Sequence, residues 1–201
     1  MPQNLNQCNS DAAMFSITRD TNSGVCVPPV ISIVGFSGAG KTTLMVKLIT
    51  EFKSRGNNVG SIKHDVHGFE MDQSGKDSWR HKQAGASTTI ISSPYQIGMV
   101  SDVDHDHHPL ELLPLLCGMD IVFVEGFKRA GLPKIEVFRP ENGKLPACRG
   151  DKHLLALVSD ALLDWGVPRF PATDIIGIAD FIAQTFILDP ATEIVCKSAI
   201  S

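Results

Sequence analysis

The chain has 201 residues, 43% of them hydrophobic, which suffices for one sizeable core and falls within the usual range for a single compact domain. A net charge of −4 with no long basic run argues against a surface built chiefly to neutralise a nucleic-acid backbone. Five scattered cysteines, Cys8, Cys26, Cys117, Cys148 and Cys196, make no Cys-x-x-Cys pair, and no apolar run is long enough to span a bilayer; the expectation is a soluble cytoplasmic protein with reduced thiols and with neither nucleic acid nor membrane as partner.

Residues 1–28 are rich in Asn, Gln, Ser, Asp and Thr, lack apolar periodicity and close on Pro28-Pro29. They read as a flexible polar arm ahead of one globular domain, residues 29–201. The run Val30-Ile31-Ser32-Ile33-Val34 suits a strand buried on both faces of a parallel sheet. It leads into Gly35-Phe36-Ser37-Gly38-Ala39-Gly40-Lys41-Thr42, a match to G-x-x-x-x-G-K-[ST]. From Thr43 to Arg55, Leu44, Leu48 and Phe52 recur at helical spacing, with Met45 and Ile49 widening the stripe and Gly56 at the stop.

Strand, glycine-rich turn and helix in that order are the context a phosphate-binding loop requires. Gly35, Gly38 and Gly40 let the backbone wrap closely, and the amides around Ala39 to Thr43 face an anion at the positive end of the helix dipole, with Ser37 beside them. Lys41 brings a mobile cation to the β and γ phosphates, Thr42 offers a hard oxygen to Mg²⁺, and Thr43 is placed for the α phosphate. Residues 29–201 therefore read as a P-loop nucleotide-binding domain gripping a purine nucleoside triphosphate and Mg²⁺.

Further strands are expected at Val59 to Lys63, Thr88 to Ser92, Ile121 to Glu125, Lys134 to Phe138 and Leu154 to Val158. Helices are expected at Ser78 to Ala84, Leu110 to Leu116 and Asp174 to Phe186. The alternation predicts an α/β protein with the three-layer P-loop NTPase fold, a mostly parallel sheet covered by helices. Lys134 to Phe138 is expected at an edge, where it could pair with a second chain.

Ligands of open α/β sheets sit at the carboxyl ends of the strands. Glu125, which ends an apolar strand, is thus the expected metal-side carboxylate, whereas Asp120 starts that strand and reads as a polar residue at the opposite end. Asp65 closes the Val59 strand at the same edge and could position Mg²⁺ or water. The candidate catalytic set is Lys41, Asp65 and Glu125, and the candidate metal set Thr42, Glu125 and Asp65.

No Asn-Lys-x-Asp guanine signature is present. Asp160, after the Leu154 strand, either accepts the N1 and N2 hydrogens of guanine or caps a helix before Ala161-Leu162-Leu163. Asp104 to His108 carries three histidines and two aspartates, and neighbours on one loop rarely close a tetrahedral metal set; a solvated loop leading into a helix is expected. Lys76, Arg80, His81, Lys82, Lys128, Lys134 and Arg139 form a basic group that could take a second anion. Trp79 and Phe127 either stack on a flat ligand or pack in the core.

Lys63-His64-Asp65-Val66-His67-Gly68-Phe69, Gly75-Lys76-Asp77-Ser78-Trp79-Arg80-His81, Val124-Glu125-Gly126-Phe127-Lys128 and Pro133-Lys134-Ile135-Glu136-Val137-Phe138-Arg139 accompany the phosphate loop. Together they resemble the family of molybdopterin-guanine dinucleotide biosynthesis adaptor proteins B, over about Val30 to Phe186. The resemblance implies a homodimeric, GTP-binding protein with weak Mg²⁺-dependent GTPase activity. It also implies molybdopterin, or the molybdenum cofactor, and the guanylyltransferase that attaches GMP to molybdopterin as partners. The chain departs from the family in its polar arm, in Val66 where a further histidine is often found, and in the Asp104–His108 loop. A small-molecule kinase and a purely nucleotide-binding scaffold use the same loop; an arginine-rich lid, which would favour the kinase, is absent from the sequence.

Overall fold

The computed structural model describes residues 27–187. Most of the arm expected over residues 1–28 lies outside them. Six strands, β1 (Val30–Val34), β2 (Val59–Lys63), β5 (Ile121–Glu125), β6 (Lys134–Val137), β7 (Leu154–Val158) and β8 (Arg169–Phe170), form one parallel sheet in the order β2-β5-β1-β6-β7-β8. Its helices include α1 (Lys41–Ser54) and α4 (Ile175–Phe186), which contact each other on one face.

Both faces are covered, which is why β1 carries apolar side chains in both directions. On one face Ile31, Ile33, Phe123 and Ile135 meet Leu48 and Phe52 of α1 and Ile178 and Ile182 of α4, all fully buried. Phe52 packs edge-on to Phe123 at 5.5 Å. On the other face Val30, Val122 and Val124 meet Leu113 and Leu132.

The expected mostly parallel, helix-covered sheet is therefore what forms, with three differences. Thr88 to Ser92 is a strand, β3 (Thr88–Ser92), outside the main sheet; it pairs antiparallel with β4 (Ile97–Ser101) beside α2 (Asp77–Gln83). The Ser93 hydroxyl closes their turn by accepting from the amides of Tyr95 and Gln96. The helix expected at Leu110 to Leu116 is α-helical only as α3 (Pro109–Leu112) and continues as a 3₁₀ turn over Leu113–Leu116, since Pro114 has no N–H to donate to an α turn.

β6 corrects the edge expectation: it lies inside the sheet between β1 and β7, with all four residues buried. Its two charged residues are both satisfied internally. Lys134 Nζ donates to the carbonyls of Lys128 and Ala130 and pairs with Asp151 at 2.7 Å. Glu136 accepts from the amides of Ala147 at 2.6 Å and Cys148 at 2.8 Å. β6 thereby ties down the loop that leads into it and the loop that connects it to β7.

Candidate phosphate and metal site

Gly35 leaves β1 at φ 141°, and a side chain there would collide with the carbonyl of Val137 on β6. Only glycine lets the loop turn away so close to its neighbour strand. α1 then begins at Lys41, and its first helical bond runs from the Leu44 amide to the Gly40 carbonyl at 2.9 Å. The amides of Lys41, Thr42 and Thr43 consequently have no acceptor within the helix, and no acidic residue in the first turn offsets the dipole.

Lys41 Nζ folds back onto the Phe36 carbonyl at 3.1 Å, and the Ala39 amide closes a turn on the same oxygen at 3.2 Å. Ala39 is buried, so its amide serves the loop's own shape, and the Gly40 to Thr43 stretch is left to face an anion. Ser37, Gly38, Thr42 and Thr43 are exposed around the opening.

The Thr42 hydroxyl donates to Glu125 Oε1 at 2.8 Å. Parallel register explains the meeting: Glu125 lies opposite Ile33 on β1 and Lys63 on β2, level with the start of the loop. Its backbone is held from both flanks, by the His64 amide donating to the Glu125 carbonyl at 3.1 Å and by the buried Ser32 hydroxyl donating to the Gly126 carbonyl at 3.0 Å. A hydroxyl and a carboxylate side by side at a phosphate loop are the hard oxygen donors that Mg²⁺ takes.

Asp120 sits at the other end of β5, where its carboxylate accepts from the Asn58 amide at 2.7 Å and fastens the entry to β2. Asp65 is beyond the carboxyl end of β2, but its side chain caps its own turn by accepting from the His67 amide at 3.0 Å. The structure thus joins Thr42 to Glu125 and leaves Asp65 in a turn of its own.

The model of the family described as molybdopterin guanine dinucleotide synthesis protein B matches residues 30–160. The match contains the phosphate loop, Glu125 and Asp160. The chain belongs to this family. A molybdopterin-guanine dinucleotide biosynthesis adapter protein of Escherichia coli (strain K12) is 35% identical over 168 residues, 81% of this chain and 95% of the relative. One of Haemophilus influenzae is 37% identical over 158 residues, 77% of this chain and 87% of the relative. A crystal structure of molybdopterin-guanine biosynthesis protein B aligns with TM-score 0.61 at 29% identity, over 77% of this chain and 97% of the other. That of Bacillus subtilis MobB aligns with TM-score 0.65 at 25% identity, over 80% and 99%.

In this member of the synthesis protein B family, Asp160 extends from the carboxyl end of β7 and its Oδ1 accepts from the Ala172 amide at 3.1 Å. No helix follows at Ala161 to Leu163, so the alternative role as a cap there is corrected: Asp160 ties two loops together. The basic group separates. Lys134 is buried with Asp151, Lys82 pairs with Asp102, and Arg80 lies 3.7 Å from Asp77 on α2. Lys128 and Arg139 remain near the phosphate loop.

Two residues that the sequence reading passed over join them. Phe36, in the loop itself, has Lys128 Nζ 4.1 Å and Lys144 Nζ 5.1 Å from its ring centre. Neither was legible, because Phe36 fills an unspecified position of the motif and Lys144 is placed by a loop that Glu136 anchors. Phe127 stacks on His64 at 4.3 Å, and Trp79 lines a cavity of about 220 Å³ between α2 and the β3–β4 hairpin with Phe69, Met71, Ile91 and Met99. In the Asp104–His108 loop, acids and histidines engage one another: His105 bonds Asp104 and Glu111, Asp106 reaches His64 at 3.0 Å, and His108 caps α3 with Glu111. Among the described residues no group of three such side chains is placed to hold a metal ion, and no helix is long and apolar enough to cross a membrane.

Proposed function

We propose that this chain is a GTP-binding adapter in molybdopterin guanine dinucleotide biosynthesis, holding GTP and Mg²⁺ on the Gly35–Thr43 loop and hydrolysing GTP slowly. The carrying observation is the 2.8 Å contact between Thr42 Oγ1 and Glu125 Oε1 at the mouth of a loop whose helix amides lack intrahelical acceptors. Family membership supports the biosynthetic assignment, with molybdopterin and the guanylyltransferase acting on it as partners.

Mg²⁺, held by Thr42 with Glu125 alongside, would neutralise charge developing on the β and γ oxygens. Lys41, freed from the Phe36 carbonyl, reaches those phosphates, and the Lys41 to Thr43 amides take the rest. Asp65 requires a rotation out of its turn with His67 to orient water, which fits a slow hydrolase. Asp160, with Oδ1 fixed by Ala172, keeps Oδ2 for the N1 and N2 hydrogens of guanine at the carboxyl edge of β7.

The test is calorimetric titration of a non-hydrolysable GTP analogue with Mg²⁺ into wild-type and Lys41→Ala protein. Wild type should bind, and Lys41→Ala should bind at least about tenfold more weakly with the melting temperature retained, because the side chain donates only to the loop. Unchanged affinity in Lys41→Ala would remove the assignment.

A further inference from the structure

Four cations gather at the phosphate loop of a chain whose net charge is −4. Lys41 lies across the loop, and Lys128 and Lys144 lie over Phe36. Arg139 rests on Gly40, where an added methyl would come within 3.2 Å of its Nη2. Among the described residues none of the four makes an ion pair. A triphosphate with its Mg²⁺ carries a net charge of about −2, which two of these cations offset. Two remain.

We propose that the loop carries a second anion site, in which Lys128 and Lys144, gathered over the Phe36 ring, hold the phosphate of a phosphomonoester between their ammonium groups while Lys41 and Arg139 serve the triphosphate. The proposal rests on the nucleotide reading above. A phosphomonoester near neutral pH carries up to about −2, matching the remaining pair. Both lysines are delivered by anchored loops, since Lys134 holds the Lys128 carbonyl at 3.0 Å and Glu136 holds the amides of Ala147 and Cys148. The site is therefore partly organised before its ligand arrives. Burial, and after it the charge of Lys41 and that of Lys144, push the Lys128 ammonium below its ordinary pKa despite the opposing pull of Glu136. An incoming dianion relieves that crowding.

The experiment uses the full chain saturated with Mg²⁺ and a non-hydrolysable GTP analogue, titrated at constant ionic strength with inorganic phosphate and then with glycerol phosphate. Wild type should bind both saturably. The Lys128→Gln/Lys144→Gln variant should bind them at least about tenfold more weakly while its affinity for the analogue changes less than about threefold. Lys144→Gln alone, at an exposed position, should give an intermediate loss and guards against a folding defect at Lys128. Absence of saturable phosphate binding by wild type overturns the proposal. So does an equal loss of analogue binding in the double variant, which would assign both lysines to the nucleotide's own phosphates. If wild type binds no analogue, the nucleotide reading falls by itself. Phosphate titration of the nucleotide-free chain then decides the second site: loss in the double variant supports it, and loss confined to Lys41→Ala overturns it.

Discussion

Thr42 and Glu125 stand 83 positions apart in the chain and 2.8 Å apart in space, whereas Asp120, five residues before Glu125, serves the opposite end of the same strand. Glu125→Gln should therefore weaken Mg²⁺-dependent nucleotide binding or hydrolysis. Asp120→Asn should leave both near wild type and cost about 1 kcal/mol of stability through the Asn58 contact. Parallel titrations with and without Mg²⁺, and chemical denaturation, check the pair of outcomes; a larger functional loss at Asp120 would contradict the geometry. Asp160→Ala should narrow the preference for GTP over ATP, because adenine presents an acceptor at N1 and no amine at C2. The carboxylate is exposed, so the expected change is about tenfold or less, and an unaltered preference means that the base is read elsewhere. Glu125 was legible because an acid ending a buried strand has one place to go. Asp65 was legible as to its edge but not its direction, since the local turn with His67 competes for the same carboxylate.

At the level of elements, β1, β5 and β7 announce themselves as apolar runs, and α1 and α4 by their stripes. β6 was legible as a strand but not as an interior one, because Lys134 and Glu136 look like a solvated face until the loops that satisfy them are in place. β4 was missed because its five residues include Gly98 and are largely exposed, leaving little period to read. The β6 charges carry a pH signature. Burial alone would raise the Asp151 carboxyl, but hydrogen bonds from Lys134 and from the backbone and ring of His153 outweigh it and hold the pKa at about 2, below the ordinary 3.8. A lowered folded-state pKa contributes stability that is present above the unfolded value and lost as pH falls. Denaturant unfolding of wild type against Asp151→Asn should show a gap of about 1 to 2 kcal/mol near neutrality that closes between roughly pH 4 and pH 2. A gap independent of pH would mean that shape, not charge, holds the Lys134 loop.

For the whole molecule, the central strands β1 and β6 of the six-stranded sheet are buried throughout, while the β3–β4 hairpin stands outside it with Ile90 61% and Ile97 74% exposed. A two-stranded hairpin is marginal by itself, and open strand edges beside apolar side chains invite pairing with another chain. The hairpin, and not the interior strand β6, thus offers the open edge that the homodimer implied by the family resemblance would use. Light scattering on the full chain should give about twice 21.7 kDa. Ile90→Lys/Ile97→Lys, which places like charges on that face, should give a monomer that keeps its affinity for the GTP analogue within about twofold, because neither residue belongs to the phosphate loop. A wild-type monomer would remove the dimer altogether. A dimer that persists in the double variant would move its interface away from the hairpin, and loss of nucleotide binding on dissociation would mean that the partner chain completes the site.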